Sequence, residues 1–336
     1  MRMNHRIIAM GSALLLAAGL ATAAQASPDR PDVSMAAHHD VSPAFRDLAA
    51  VPRRVAARPD REIENRIPLD MAQRAHPAPG GPDPVLQTDA GPTGSATPMP
   101  LSSFDGISDD DNAAVTGGRV VPPDTNGDVG TTYYVQIVNL LLAVYRKSDG
   151  VRIFGPVPVN TLWNGFGGKC QTDNDGDPVA LYDDAADRWV ISQFAVGGDG
   201  HQCFAISTTN DPTGSYYRYD FNISPARLND YPKIGIWSDG YYLSANENTS
   251  SFQGAIVVAF ERSRMLSGLS AQMIKFGNLA CGTECFFAIQ PAHWDGGTAP
   301  PAGSPAPYVM AFDDESWGAG TNSDGYRLWE FTANWA

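Results

Sequence analysis

The stretch 177–193, "DPVALYDDAADRWVISQ", has a counterpart at 230–246, "DYPKIGIWSDGYYLSAN", and the likeness between them decides the fold class. Each opens on an Asp and a Pro, runs into an apolar strand, turns, meets an aromatic residue and ends in a second strand. Asp177 precedes Trp189 by twelve residues, and Asp230 precedes Tyr242 by twelve. "DTNGDVGTTYYVQIVN" is a shorter version with Asp124 ten residues before Tyr134, and "APYVMAFDDES" around Tyr308 is a degenerate fourth copy. The aromatic markers stand 55, 53 and 66 residues apart, which suits one four-stranded propeller blade with its loops.

From Gly118 onward, short runs rich in aromatic and β-branched residues alternate with Gly, Asp, Asn and Pro. "KSDG", "DDAADR" and "WSDG" are turn signals between them, and "ERSRMLSGL" is the best candidate for a short helix. The expected fold over 118–336 is all-β, a β-propeller-like repeat of four-stranded blades. A β-sandwich is the competing architecture, but it gives no reason for a repeated Asp-to-aromatic interval. The final run, "YRLWEFTANWA", has no cap or polar tail, so the expectation is a truncated propeller with further blades missing.

Residues 1–26 read as a secretory signal peptide. Arg2 and Arg6 precede the short apolar run "IIAMGSALLLAAGLA", and Ala24-Gln25-Ala26 gives the small-residue cleavage pattern. No later segment reaches the roughly 20 apolar residues that a membrane span needs. Without a twin-arginine pair, the general secretion pathway is the simpler route, to the cell surface or the medium. Residues 27–117 are rich in Pro, Ala, Arg and Asp and show no sustained period, so they read as a disordered tail or pro-segment. A short helix around "DREIENRIPLDMAQRA" is the exception, weakened by Pro68.

The formal charge of −14 and four scattered lysines (Lys147, Lys169, Lys233, Lys275) argue against nucleic acid, which needs clustered cations. Cys170, Cys203, Cys281 and Cys285 form an even set in an exported chain, which favours two disulfides. Sequence order suggests Cys170–Cys203 and Cys281–Cys285, with three connectivities open. Zinc held by Cys281, Cys285 and His293 is a sharper alternative that lacks a fourth ligand.

The motifs "PPDTNGDVG", "NTLWNGFGGKC", "TDNDGDPVALYDDAADRWVISQF", "QCFAIS", "DPTGSYYRYDF" and "NDYPKIGIWSDGYYLSANE" resemble those of a family of secreted bacterial β-propeller proteins. The resemblance covers most of 118–336. It implies the fold and export, and some members of that family continue into adhesin-like or secretion-sorting modules. No reaction is established for the family, so no catalytic residue carries over.

Two constellations point to chemistry. Calcium loops of the EF type read D-x-[DN]-x-[DN]-G with an acid at the twelfth position. Counting from Asp124 fails, because Val129 and Val135 occupy the two key places. Counting from Asp173 brings in Asp175, Asp177 and Asp184, with Pro178 where the turn glycine belongs. Calcium on these four competes with simple Asx-turns.

The second constellation is Asp124, Asp177 and Asp230, which hold equivalent strand-start positions. Propeller geometry brings such positions to one face, where carboxyls can serve as acid, base or nucleophile for glycoside cleavage. Trp163, Trp237, Trp294 and Tyr231 are candidates to stack on sugar rings. Against this, Asp at a strand start also caps turns. His201 and His293 read as exposed loop residues, and no G-x-S-x-G, P-loop, dinucleotide or H-E-x-x-H motif occurs. The expected function is a secreted or cell-surface binding module for carbohydrate or another extracellular protein. A glycoside hydrolase or lyase on the three aspartates is one alternative, and a structural adhesin-type segment is another.

Overall fold

The computed structural model describes residues 2–8, 31–51, 61–62 and 99–336, apart from 198, 226, 250, 280–285, 297, 302 and 314–324. The first strands are β1 (Arg2–Ile8), β2 (Asp32–Met35), β3 (His38–Val41), β4 (Arg61–Glu62) and β5 (Val120–Val121). Next come β6 (Asn126–Val129), β7 (Tyr133–Val138), β8 (Leu141–Arg146) and β9 (Arg152–Pro158), then β10 (Val179–Asp183), β11 (Arg188–Ala195), β12 (Gly200–Ser207) and β13 (Tyr216–Ser224). The chain continues with β14 (Leu228–Ile236), β15 (Tyr241–Asn248), β16 (Phe252–Phe260) and β17 (Gln272–Leu279), and ends with β18 (Gln290–Pro291), β19 (Ala306–Asp313) and β20 (Gly325–Thr332). Helices are few and short, and Arg262–Met265 lies where the sequence suggested one. Among the described residues no helix is long and apolar enough to cross a membrane.

Four consecutive antiparallel sheets result, in the orders β6-β7-β8-β9, β10-β11-β12-β13-β3, β14-β15-β16-β17-β2 and β1-β20-β19-β18, besides a small parallel pair β4-β5. None of them closes on itself. The hairpins form where turn chemistry allows. Gly150 (φ +69) closes the "KSDG" turn by donating its N–H to the Arg146 carbonyl at 2.9 Å. Asp183 accepts the Ala186 N–H at 3.1 Å, through its carbonyl and through its Oδ1, in the "DDAADR" turn.

Apolar clusters lie between neighbouring sheets. Trp189 and Ile191 of β11 pack with Val135, Ile137, Leu142 and Val144 of the preceding sheet. Val190, between them in sequence, points the other way, into a cluster with Leu243, Val258 and Phe260 of the following sheet. Tyr242 of β15 does the same one sheet later, meeting Tyr308, Trp329 and Phe331. Both faces of the two central sheets are therefore buried, which is why their strands read as nearly unbroken apolar runs rather than as alternating ones.

The expectation of a disordered stretch from 27 to 117 fails for Asp32–Ala50. β2 pairs with β17 and β3 with β13, so this segment supplies the outermost strand of two adjacent sheets. The helix Phe45–Ala50 then buries Phe45 and Leu48. Asp40 receives two hydrogen bonds from the buried Arg218. Sequence periodicity could not find this because a four-residue edge strand has one apolar face at most, and most of its stability is backbone pairing to a partner elsewhere. Nearer the first sheet, Ser108 and Asp111 form a reciprocal capping box at the start of the helix Asp109–Thr116. The helix expected at 60–75 falls outside the described residues except for Arg61–Glu62, which are strand β4. Arg2–Ile8, the start of the segment read as an export signal, pairs with β20.

Candidate active site

Four non-glycine residues in or just before the edge strands β6, β10, β14 and β18 have positive φ: Asp124 (φ 40), Asp177 (φ 42), Tyr231 (φ 55) and Ala288 (φ 50). The residue two places after each starts or continues that edge strand: Asn126, Val179, Lys233 and Gln290. Those four, with Asp124, Asp177 and Tyr231, line one cavity of about 300 Å3.

Cross-strand bonds fix the entries relative to one another. Asn126 bridges the first two, donating its amide to the Pro178 carbonyl and accepting the Ala180 N–H on Oδ1 at 2.9 Å. Asp128 accepts the Tyr182 N–H at 2.7 Å. Asp177 links the second entry to the third, its Oδ2 accepting the Tyr231 N–H at 3.1 Å. Asn139 clamps Asp124, donating Nδ2 to Asp124 Oδ2 at 3.0 Å and to the Pro122 carbonyl at 2.7 Å.

Three carboxyls and one amine share this region. Asp124 and Asp177 lie near enough for each to act on the other's carboxyl. Burial, aided by the charges of Asp124 and Asp230, pushes the Asp177 carboxyl up to about 7, against the pull of Lys233. Burial also raises Asp124, opposed by Lys233 and by the neighbouring Asp177. The Lys233 ammonium lies 3.5 Å from the centre of the Tyr231 ring. Burial lowers its pKa, while Asp177, Asp124 and Asp230 act the other way.

The structure thus brings Asp124 and Asp177 to one cavity, with Asp230 close enough to act on Asp177, but it corrects the equivalence of the three. Tyr231, not Asp230, holds the turning position. β14 begins early, at Leu228, and a bulge between Asp230 and Lys233 interrupts its pairing with β15. Asp230 is consequently buried inside the strand, opposite Asn246.

The four calcium candidates are not gathered. Asp173 Oδ1 accepts the Thr172 hydroxyl, Asp175 Oδ2 the Val196 N–H and Asp184 Oδ2 the Gly296 N–H, while Asp177 faces Tyr231. A loop geometry was assumed for 173–184, yet β10 runs extended between Asp177 and Asp184 and sets them roughly 20 Å apart. Among the described residues no group of three or more His, Cys, Asp or Glu side chains is arranged to hold a metal ion.

Cys170 and Cys203 form a disulfide between the helix Gly168–Thr172 and β12. Cys281 and Cys285 lie outside the described residues. His293 accepts the Ile236 N–H on Nδ1 at 3.1 Å. His201 is not an exposed loop residue but part of β12, its ring nitrogens 2.6 Å from Asp220 and 3.2 Å from Asp199.

Of the aromatic candidates, Trp163 is fully buried in the core and presents no platform. Trp237 and Trp294 tie down loops by donating to the carbonyls of Ser304 and Gly296. Only Tyr231 lines the cavity, and Lys233 covers its ring. Lys233 and Gln290 were missed in the sequence. The signal was available in the position two residues past each entry, but an Asp-to-aromatic count does not reach it. Comparison with family models, with curated proteins and with solved structures finds no match to this chain.

Proposed function

We propose that the chain is an exported binding module built as a β-propeller, and that its inner-strand entries form a pocket for a small hydroxylated ligand such as a monosaccharide. One observation carries this reading: residues two places past four successive positive-φ turns line the same cavity. A propeller supplies the reason, since its inner strands all start around one axis. Burial of both faces of the central sheets also favours blades over a two-layer sandwich.

The volume, about 300 Å3, is at the small end of ligand pockets, which suits a sugar unit rather than a polymer segment. With the Tyr231 ring covered, recognition falls to hydrogen bonds from Asp124, Asp177, Lys233, Asn126 and Gln290. Carboxylates accept from paired hydroxyls, and a protonated carboxyl or an ammonium donates to them.

A hydrolase reading has one observation in its favour: a carboxyl with its pKa near 7 suits a general acid. The separation of the Asp124 and Asp177 carboxyls decides it. Glycosidase carboxyl pairs stand about 5–9.5 Å apart, leaving room for a sugar carbon or a water between them. Calorimetric titration with a panel of monosaccharides and alditols tests the binding reading. Heat of binding that vanishes in Asp177→Asn supports it, and no heat with any member of the panel, from protein whose unfolding is cooperative, refutes it.

A further inference from the structure

We propose that Lys233 is an imine-forming residue, whose amine condenses in this cavity with the carbonyl of a small aldehyde or open-chain aldose while Asp124 and Asp177, which line the same cavity, move the protons. The inference rests on the preceding reading, that the cavity takes a small hydroxylated ligand, and narrows it to one carrying a carbonyl.

Lys233 differs from the other lysines in its surroundings. Among the described residues, Lys147 donates to the Gly130 carbonyl at 2.8 Å, and Lys169 is paired with Asp199. Lys275 donates to the Ile223 carbonyl at 2.9 Å and to Ser224 Oγ and Glu247 Oε1 at 2.6 Å each. The Lys233 ammonium instead meets a ring face, 3.5 Å from the Tyr231 centroid, at the wall of a cavity. Nucleophilic lysines are found where burial and an adjacent proton acceptor free the amine lone pair. Burial acts on Lys233 in that direction.

The carboxyls whose charge favours the ammonium do not defeat the reaction. The ammonium first passes a proton to the Asp124–Asp177 pair. The amine lone pair then attacks the carbonyl carbon, forming the C–N bond as the C=O π pair moves to oxygen, which takes a proton from Asp177. A second proton, carried through the pair from nitrogen, lets the hydroxyl depart as water while the nitrogen lone pair closes C=N. Ammonium and aldehyde have become iminium and water, with no net proton gained or lost. The product keeps the positive charge, so the three carboxyls that stabilise the lysine also stabilise what it becomes.

The competing reading makes Lys233 a fixed counter-ion with no chemistry. Labelling of the unmodified full chain separates the two. Incubation with glycolaldehyde and cyanoborohydride converts each imine to a stable secondary amine, and peptide mapping reads its position. Lys233 is expected to be labelled roughly ten times faster than Lys147, with Lys233→Arg losing only that site and Asp177→Asn slowing it and flattening its pH dependence. Labelling of Lys233 no faster than Lys147 overturns the inference. Sorbitol, which has no carbonyl, keeps the two readings apart. If sorbitol binds and Lys233 stays unlabelled, the imine is refuted and the pocket stands. If sorbitol does not bind and Lys233 is unlabelled, both fall.

Discussion

Replacing Asp40 with Ala tests whether the segment before residue 50 belongs to the folded unit. Arg218 is 2% exposed, and its guanidinium donates to Asp40 Oδ1 at 2.8 Å and Oδ2 at 2.5 Å. Nη1 donates to the carbonyls of Leu162 and Asn164 at 3.0 and 2.9 Å, and the guanidinium carbon lies 5.1 Å from the centre of the Phe166 ring. Removing Asp40 leaves a buried cation with carbonyl partners and no counter-charge. Breaking a buried pair by deleting one partner costs about 3–5 kcal/mol. The Asp40 side chain is 29% exposed, so water reaches the vacated side and places the loss at the lower end, about 3 kcal/mol. For a chain of this size that corresponds to about 4–6 °C in Tm. Urea unfolding of wild type, Asp40→Ala, and the pair Asp40→Leu with Arg218→Met measures it. The double variant removes both charges and is expected to recover much of the loss, because no ion is left stranded. A loss under about 1 kcal/mol for Asp40→Ala would mean that the segment contributes no binding energy at β13, and the reasoning would be refuted.

Three further outcomes follow from the same contacts. Gly235 has the Ala292 carbonyl oxygen 2.1 Å from where a Cβ would sit, so Gly235→Ala should cost about 1–3 kcal/mol by pushing β14 from the segment beside it, read as a lower urea midpoint. The Cys170–Cys203 bridge spans 33 residues, and a Cys170→Ser, Cys203→Ser chain should lose about 3–4 kcal/mol against the oxidised protein; an unchanged midpoint would show the crosslink adds nothing. Asp177 is raised from its ordinary 3.8 to about 7, so between those values the folded state holds a proton that the unfolded state has released. Its contribution to stability is therefore fully present below the lower value and declines as pH rises through the upper one. Up to about 4 kcal/mol should separate the pH profiles of wild type and Asp177→Asn across that window, and parallel profiles would contradict it.

How far the fold could be read from sequence depended on what each residue's environment demands. Trp189, Tyr242 and Tyr308 occupy the second strand of their sheets and are fully buried, so their size and chemistry are constrained and their spacing is visible. Asp124 and Asp177 were visible for a related reason: Asp tolerates positive φ, and both sit just before an edge strand of their sheets. At the third entry the same geometry is met by Tyr231, a residue with no such preference, held there by its N–H bond to Asp177 and by the bulge before Lys233. Sequence counting therefore assigned the role to the nearest Asp, one residue early. The same displacement explains why Lys233 went unremarked. Its importance comes from three carboxyls contributed by two other strand entries and by its own strand, at separations of about 3, 56 and 109 residues, and no local pattern records charges that meet only after folding. A lysine two residues beyond an entry is unusual among its equivalents, Asn126, Val179 and Gln290, and that departure inside a regular arrangement is where the pocket's chemistry is concentrated.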